Sequence, residues 1–224
     1  MTRGRGEEGT RKPDKTFSVH RLSFGEEFDT ATLKWEELDP GNRSMSLNKK
    51  IINQKAKKIR LILFDVDGIL TDGRILYNEK GREIKFFHVH DGQGIRWLLK
   101  SGIEVGFLSG RSSPAVAMRA KELGISFLFQ EVGDKIKILE KLLQITKLDP
   151  EQVAFMGDDF MDHPLLKKVG LSFSVSNGHP LIQKEVDYVT RAAGGFGAVR
   201  EVSELILRAQ GKWQFILKDY GLKK

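Results

Sequence analysis

Two acids with one residue between them, Asp65 and Asp67, follow directly on the apolar run Ile59–Phe64, which only Arg60 interrupts. Side chains at i and i+2 of an extended segment point the same way, so both carboxylates can face one ligand. Packed together they repel, unless a divalent cation lies between them or one keeps a proton. The plain alternative is a polar Asp-x-Asp-Gly turn that closes a strand. Three further polar clusters follow: Ser109-Gly110, Lys135, and Gly157-Asp158-Asp159 with Asp162 one helical turn beyond Asp158. Each has an ordinary explanation, a helix cap for Ser109, a solvated helix residue for Lys135 and a turn former for Asp158. As an ordered set, with three of the clusters at the ends of apolar runs, they are hard to obtain by accident.

Periodicity predicts the elements that must position them. Ile59–Phe64 has the continuous apolar character of a strand covered on both faces. Further strands are predicted over Glu104–Leu108, Ser126–Phe129, Val153–Met156, Leu171–Val175 and Tyr188–Thr190. Helices are predicted from near Asp91 to Lys100, over Pro114–Leu123 with Gly124 at its end, and over Lys135–Ile145, Leu165–Val169 and Ala198–Gln210. This alternation predicts an α/β protein built on a doubly wound parallel sheet. Such sheets bind ligands at the carboxyl ends of their strands, so the clusters are expected to share one crevice. Between the first strand and the first helix, Arg74–Tyr77 and Glu83–Val89 flank Asn78-Glu79-Lys80-Gly81, which reads as a β-hairpin. Ile84, Phe86, Phe87 and Val89 are too apolar for a free hairpin and are expected to pack elsewhere, another subunit included.

Composition sets outer bounds. The 224 residues are 40% hydrophobic and 30% charged, which suits one globular domain with an appendage. No apolar run approaches 18 residues, so no transmembrane helix is expected, and the basic N-terminus lacks the apolar core of a secretory signal. Cysteine is absent, which excludes disulfides and thiolate chemistry and is compatible with a cytoplasmic location. Of the net charge of +7, residues 1–58 hold 13 Lys/Arg against 9 Asp/Glu. The remainder is nearly balanced, so no nucleic-acid partner is expected. Residues 1–44 have no clear period and read as a flexible extension, with Met45 a second possible start and Met45–Lys58 a basic helical lead-in.

The four motifs resemble those of the haloacid dehalogenase superfamily of phosphatases. They are D-x-D-G-x-x-T-D at Asp65–Asp72, Ser109, Lys135, and G-D-D-x-x-D at Gly157–Asp162. Over residues 59–211 the closer resemblance is to the 3-deoxy-D-manno-octulosonate 8-phosphate (KDO 8-phosphate) phosphatase family. It extends to Asp91-Gly92-x-Gly94-Ile95, Asp187-Tyr188-Val189-Thr190 and Gly194-Gly195-Phe196-Gly197-Ala198-Val199-Arg200-Glu201. The resemblance implies that Asp65 attacks phosphorus to form an aspartyl-phosphate and that Asp67 is the general acid and base. It implies Mg²⁺ held by Asp65, the Asp67 carbonyl and Asp158, with phosphate bound by Ser109, Gly110 and Lys135. Asp162 would hold a metal-bound water or orient Lys135.

The same resemblance implies a Rossmann-like core over residues 59–211 that is capless, the hairpin standing in the place of a cap domain. Residues 1–58 would be an extension and lead-in, and 212–224 a tail. It further implies a cytoplasmic homotetramer whose hairpins assemble the subunits, acting on a small sugar acid phosphate in lipopolysaccharide precursor synthesis. Gly194–Gly197 matches a mobile tail in that family, and Arg200 is a candidate for the anionic substrate. His90 stands where family members often carry Arg or Lys and is a second candidate; a neutral imidazole cannot pair a carboxylate bidentately. That departure keeps open a nonulosonate 9-phosphate as the substrate. A non-catalytic assembly domain is a rival reading that the intact motif set opposes. A phospho-receiver domain is opposed by the placement of Asp65 on the first strand.

Overall fold

The computed structural model describes residues 43–222, with side chains from 48 onward. The expectation for residues 1–42 lies outside the described residues. After helix α1 (Arg43–Lys58) come strand β1 (Leu61–Asp65), a hairpin of β2 (Leu76–Tyr77) and β3 (Glu83–Ile84), and helix α2 (Val89–Lys100). The chain continues through β4 (Glu104–Leu108), α3 (Pro114–Leu123), β5 (Phe127–Phe129), α4 (Lys135–Thr146) and β6 (Val153–Met156). It ends through α5 (His163–Leu166), β7 (Leu171–Ser174), α6 (Pro180–Gln183), β8 (Tyr188–Val189), α7 (Ala198–Ala209) and α8 (Trp213–Asp219).

Six strands form one parallel sheet in the order β5-β4-β1-β6-β7-β8. The chain builds outward from β1 to one side, then crosses to the other side at β6, so the switch in winding falls beside β1. That is where an open α/β sheet leaves a crevice. Alternation along β1 divides the core. Ile62 and Phe64 pack with Ala56 of α1 and with α2, α3, α7 and α8, while Leu61 and Leu63 pack with α4, α5 and α6. Local signals set the helix ends: Pro114 opens α3 and Gly124, at φ +77°, closes it. The Asp134 carboxylate accepts the N–H groups of Ile136 and Lys137 at the start of α4.

The packed unit is longer at both ends than the 59–211 expected from sequence. Within the segment taken as lead-in, α1 buries Ala56 and ties Lys55 to Asp187 at 2.5 Å. Within the segment taken as a tail, α8 buries Trp213 and Ile216 in the same core, and Tyr220 packs edge-on against Trp97. Burial of a side chain such as Ile216 contributes about 1.5–3 kcal/mol. The hairpin is present but shorter than expected, a separate two-stranded antiparallel pair. Phe87 joins the core, whereas Ile84, Phe86 and Val89 are exposed on this chain.

Candidate active site

Asp65 continues the alternation of Leu61 and Leu63, so its side chain faces α4. There Lys135, the first residue of α4, places Nζ 2.5 Å from Asp65 Oδ1 and 2.5 Å from Asp162 Oδ1. The other oxygen of Asp162 accepts the backbone N–H groups of Asp158 at 2.9 Å and Asp159 at 3.3 Å, which shapes the loop after β6. Strand register sets the rest. Asp65 lies level with Leu108 and Phe64 with Met156, so Ser109 and Asp158 each sit one residue beyond Asp65. Ser109 is buried; its N–H donates to the Phe129 carbonyl, and its Oγ accepts from the Arg111 N–H at 3.1 Å. Gly110 follows at the open end of the strand. Gly68 has φ +97°, and a Cβ there would meet Asp158 Oδ2 at 2.2 Å, so only glycine lets the two acidic loops approach this closely.

The electrostatics are those of an anionic cluster short of cations. Burial pushes the Asp65 carboxyl up to about 8, with Asp162 and Asp158 adding to the rise and Lys135 opposing it. Burial, then Asp162 and Asp159, pushes Asp158 up to about 7. Burial works against the Lys135 charge, but Asp65 and Asp162 outweigh it and hold its pKa above the ordinary lysine value. Asp65, Asp158 and Asp162 each offer an oxygen within 4.8 Å of the others, a group among the described residues that fits a metal ion. Asp162 already accepts from Lys135 and two N–H groups, so Asp65 and Asp158 have the coordinating capacity to spare. A divalent cation between them favours the ionised carboxylates and so offsets the burial and carboxylate repulsion that raise both pKa values.

Three residues at the site carried no sequence expectation. Lys85, after β3, pairs with Asp67 Oδ1, and its Nζ is 3.3 Å from Glu83 Oε1. Arg111 places Nη2 2.9 Å from Glu83 Oε1 and Nε 3.9 Å from Asp67 Oδ2. The available signal was the alternation of Glu83, Lys85 and Phe87 with Ile84 and Phe86, which puts the charged pair on the inward face.

The Gly-rich segment is hydrogen-bonded to three separate parts of the fold. Gly194 donates to Asn177 Oδ1 at 2.9 Å and Gly195 to the Ile69 carbonyl at 2.9 Å. Asp91, buried on α2, accepts from Gly197 at 3.1 Å and from Arg200 at 2.8 Å, tying down the start of α7. A Cβ on Gly194 would lie 1.6 Å from the Gly68 carbonyl oxygen, next to Asp67. Gly194→Ala is therefore expected to cost about 1–3 kcal/mol in urea denaturation. By displacing the Asp67 loop it also lowers kcat on the order of 10²-fold. A variant with both values unchanged would show that the loop yields freely. The Arg200 Nε pairs with Glu204 at 2.7 Å and its guanidinium lies 3.8 Å from the Trp97 ring centroid, so these contacts lie on the α2–α7 face. His90 is exposed at the start of α2 with its ring edge-on to His88 at 5.0 Å, and has no contact with the aspartate cluster.

The chain is similar to known proteins in sequence and in fold. Residues 127–201 match the family model of haloacid dehalogenase-like hydrolases. The 3-deoxy-D-manno-octulosonate 8-phosphate phosphatase of Escherichia coli strain K12 is 49% identical over 158 residues, covering 70% of this chain and 84% of that protein. The crystal structure of the phosphatase of the same name from Moraxella catarrhalis, in complex with magnesium, phosphate and KDO, superposes with a TM-score of 0.74 at 44% identity. It covers 75% of this chain and 97% of that one. A cobalt-bound deoxy-D-mannose-octulosonate 8-phosphate phosphatase from Haemophilus influenzae superposes with a TM-score of 0.71 at 40% identity, over 76% of this chain and 100% of that one. With the aspartate–lysine cluster at the switch point of a capless sheet, the chain belongs to the haloacid dehalogenase-like hydrolases and, within them, to the family of 3-deoxy-D-manno-octulosonate 8-phosphate phosphatases.

Proposed function

We propose that this protein is a Mg²⁺-dependent phosphomonoesterase that converts KDO 8-phosphate to KDO and phosphate in lipopolysaccharide precursor synthesis. The observation that carries the reading is the convergence of Asp65, Lys135, Asp158 and Asp162 beside Asp67 in a chain of this family. A Mg²⁺ ion held by Asp65, Asp158 and the Asp67 carbonyl would neutralise charge between the phosphate and its nucleophile. Asp65 attacks phosphorus; as the new O–P bond forms, the P–O bond to the sugar breaks and Asp67 gives its proton to the departing oxygen. Asp67 then takes a proton from water as that oxygen bonds to phosphorus and the aspartyl-phosphate bond breaks. Lys135, Ser109 and backbone N–H groups near Gly110 hold the phosphoryl oxygens, and Asp162 holds Lys135 in place. His90 stands exposed for the sugar acid or a neighbouring subunit.

The exposed apolar residues Ile75, Leu76, Ile84, Phe86 and Val89 support assembly through the hairpin, and with it a homotetramer. The reading also carries a cytoplasmic location. Among the described residues no helix is long and apolar enough to cross a membrane.

The deciding experiment compares kcat/KM on KDO 8-phosphate and on a nonulosonate 9-phosphate with Mg²⁺ and with EDTA. Higher, Mg²⁺-dependent activity on the octulosonate is expected; the reverse order overturns the substrate. The cluster also fixes a pH dependence. With folded pKa values of about 8 and about 7 against an ordinary aspartate near 3.8, the metal-free fold takes up protons that the unfolded chain does not. Its stability therefore falls as pH rises from about 4 towards 8, and cation binding tightens over the same range. The rise in Tm produced by Mg²⁺ is expected to be larger at pH 8 than at pH 6; an increment independent of pH would contradict the assignment.

A further inference from the structure

The segment that follows the hairpin turn, β3 and the residues just after it, has two faces. Ile84 is 38% and Phe86 66% exposed on one, while on the other the Lys85 side chain is 1% exposed. Lys85 is directed at Asp67 Oδ1 and is bracketed by Glu83, itself held by Arg111. An ammonium group withdrawn from water costs several kcal/mol unless its partners are well placed. The outward face of the segment offers ample room for a lysine, so its inward position needs a reason beyond closing the hairpin.

The reason lies in the side chain it meets. The terminal torsion of an aspartate is broad and roughly two-fold, so a carboxylate left to itself presents either oxygen over a wide arc. Proton transfer to a leaving oxygen requires one Asp67 oxygen at hydrogen-bond distance in a fixed direction. Lys85 takes Oδ1, while Oδ2 faces only the longer Arg111 Nε contact at 3.9 Å among the ion pairs of the described residues. We infer that Lys85 is a positioning residue that fixes the Asp67 carboxyl group for proton transfer to the departing sugar oxygen. The inference rests on the phosphatase reading and adds to it a site residue delivered by the hairpin, the same element whose outer face is apolar.

Leaving-group dependence tests it. A sugar alkoxide must be protonated as it leaves, whereas p-nitrophenolate departs without help, so its first-turnover burst reports nucleophile, cation and phosphate binding but not the proton. Lys85→Met is expected to lower kcat on KDO 8-phosphate by about 10²-fold, with KM within about twofold. The stopped-flow burst of p-nitrophenol should stay within about threefold of wild type, and Lys85→Arg should recover part of the loss on the sugar phosphate. An unchanged kcat on the sugar phosphate overturns the inference. So does an equal loss in the burst, which would mean that Lys85 merely holds the whole site together. If Lys85→Met does not fold, Lys85→Gln is read by the same two assays. A wild type inert towards the sugar phosphate overturns the proposed function itself, an outcome distinct from full activity in Lys85→Met.

Discussion

An Asp65→Asn variant is expected to lose turnover by about 10⁴-fold or more while remaining at least as stable as wild type without metal. The amide cannot attack phosphorus, and it removes one of the two carboxylates with capacity for a cation. The stability half of the prediction follows from the cluster. Asp65 is 7% exposed, and burial together with Asp162 and Asp158 already disfavours its charge. Neutralising it removes repulsion, and Lys135 keeps Asp162 as a partner at 2.5 Å. Phosphate release and the Tm in EDTA measure the two halves. Full Mg²⁺-dependent activity in the variant would show that the nucleophile is another group. A falling Tm would show that the Asp65–Lys135 pair holds the fold more than it strains it.

Lys135→Met has the opposite profile and the largest expected effect on stability. Lys135 is the cation shared by Asp65 and Asp162, all three buried. Removing it leaves two buried carboxylates without a charged partner, a change that costs about 3–5 kcal/mol in comparable sites. Because a divalent cation can compensate Asp65, Mg²⁺ should return part of that stability, and the loss of Tm should be larger in EDTA than in Mg²⁺. Activity should fall by about 10²–10³-fold even when the protein is folded, since charge developing on the phosphoryl oxygens loses its fixed counter-charge. Equal Tm losses with and without Mg²⁺ would mean that the lysine and the metal do not share the cluster.

The Gly194–Glu201 stretch is legible as a motif, but the partners of its residues are not. The Arg200 guanidinium faces Trp97, 103 residues earlier in the chain, and Glu204 on its own helix. The Gly-rich segment is likewise held by Asn177, Ile69 and Asp91, none of them adjacent to it in sequence.

By itself the sequence determined the alternation of strands and helices, because burial of β1, β4 and β6 on both faces demands continuous apolar runs that end abruptly at polar clusters. The predicted bounds of β4, α3 and β6 agree with the structure for the same reason, aided by Pro114 and Gly124. It also determined which acids stand at strand ends, since that depends only on order along the chain. Tertiary structure alone decided which of them meet. Strand register brought Asp158 to Asp65, and the packing of α4 against the face of Leu61 and Leu63 brought Lys135 between Asp65 and Asp162. The fold of the hairpin brought Lys85 to Asp67, 18 positions away. A side chain's depth and its partner are properties of the surfaces that close over it, and those surfaces come from distant parts of the chain.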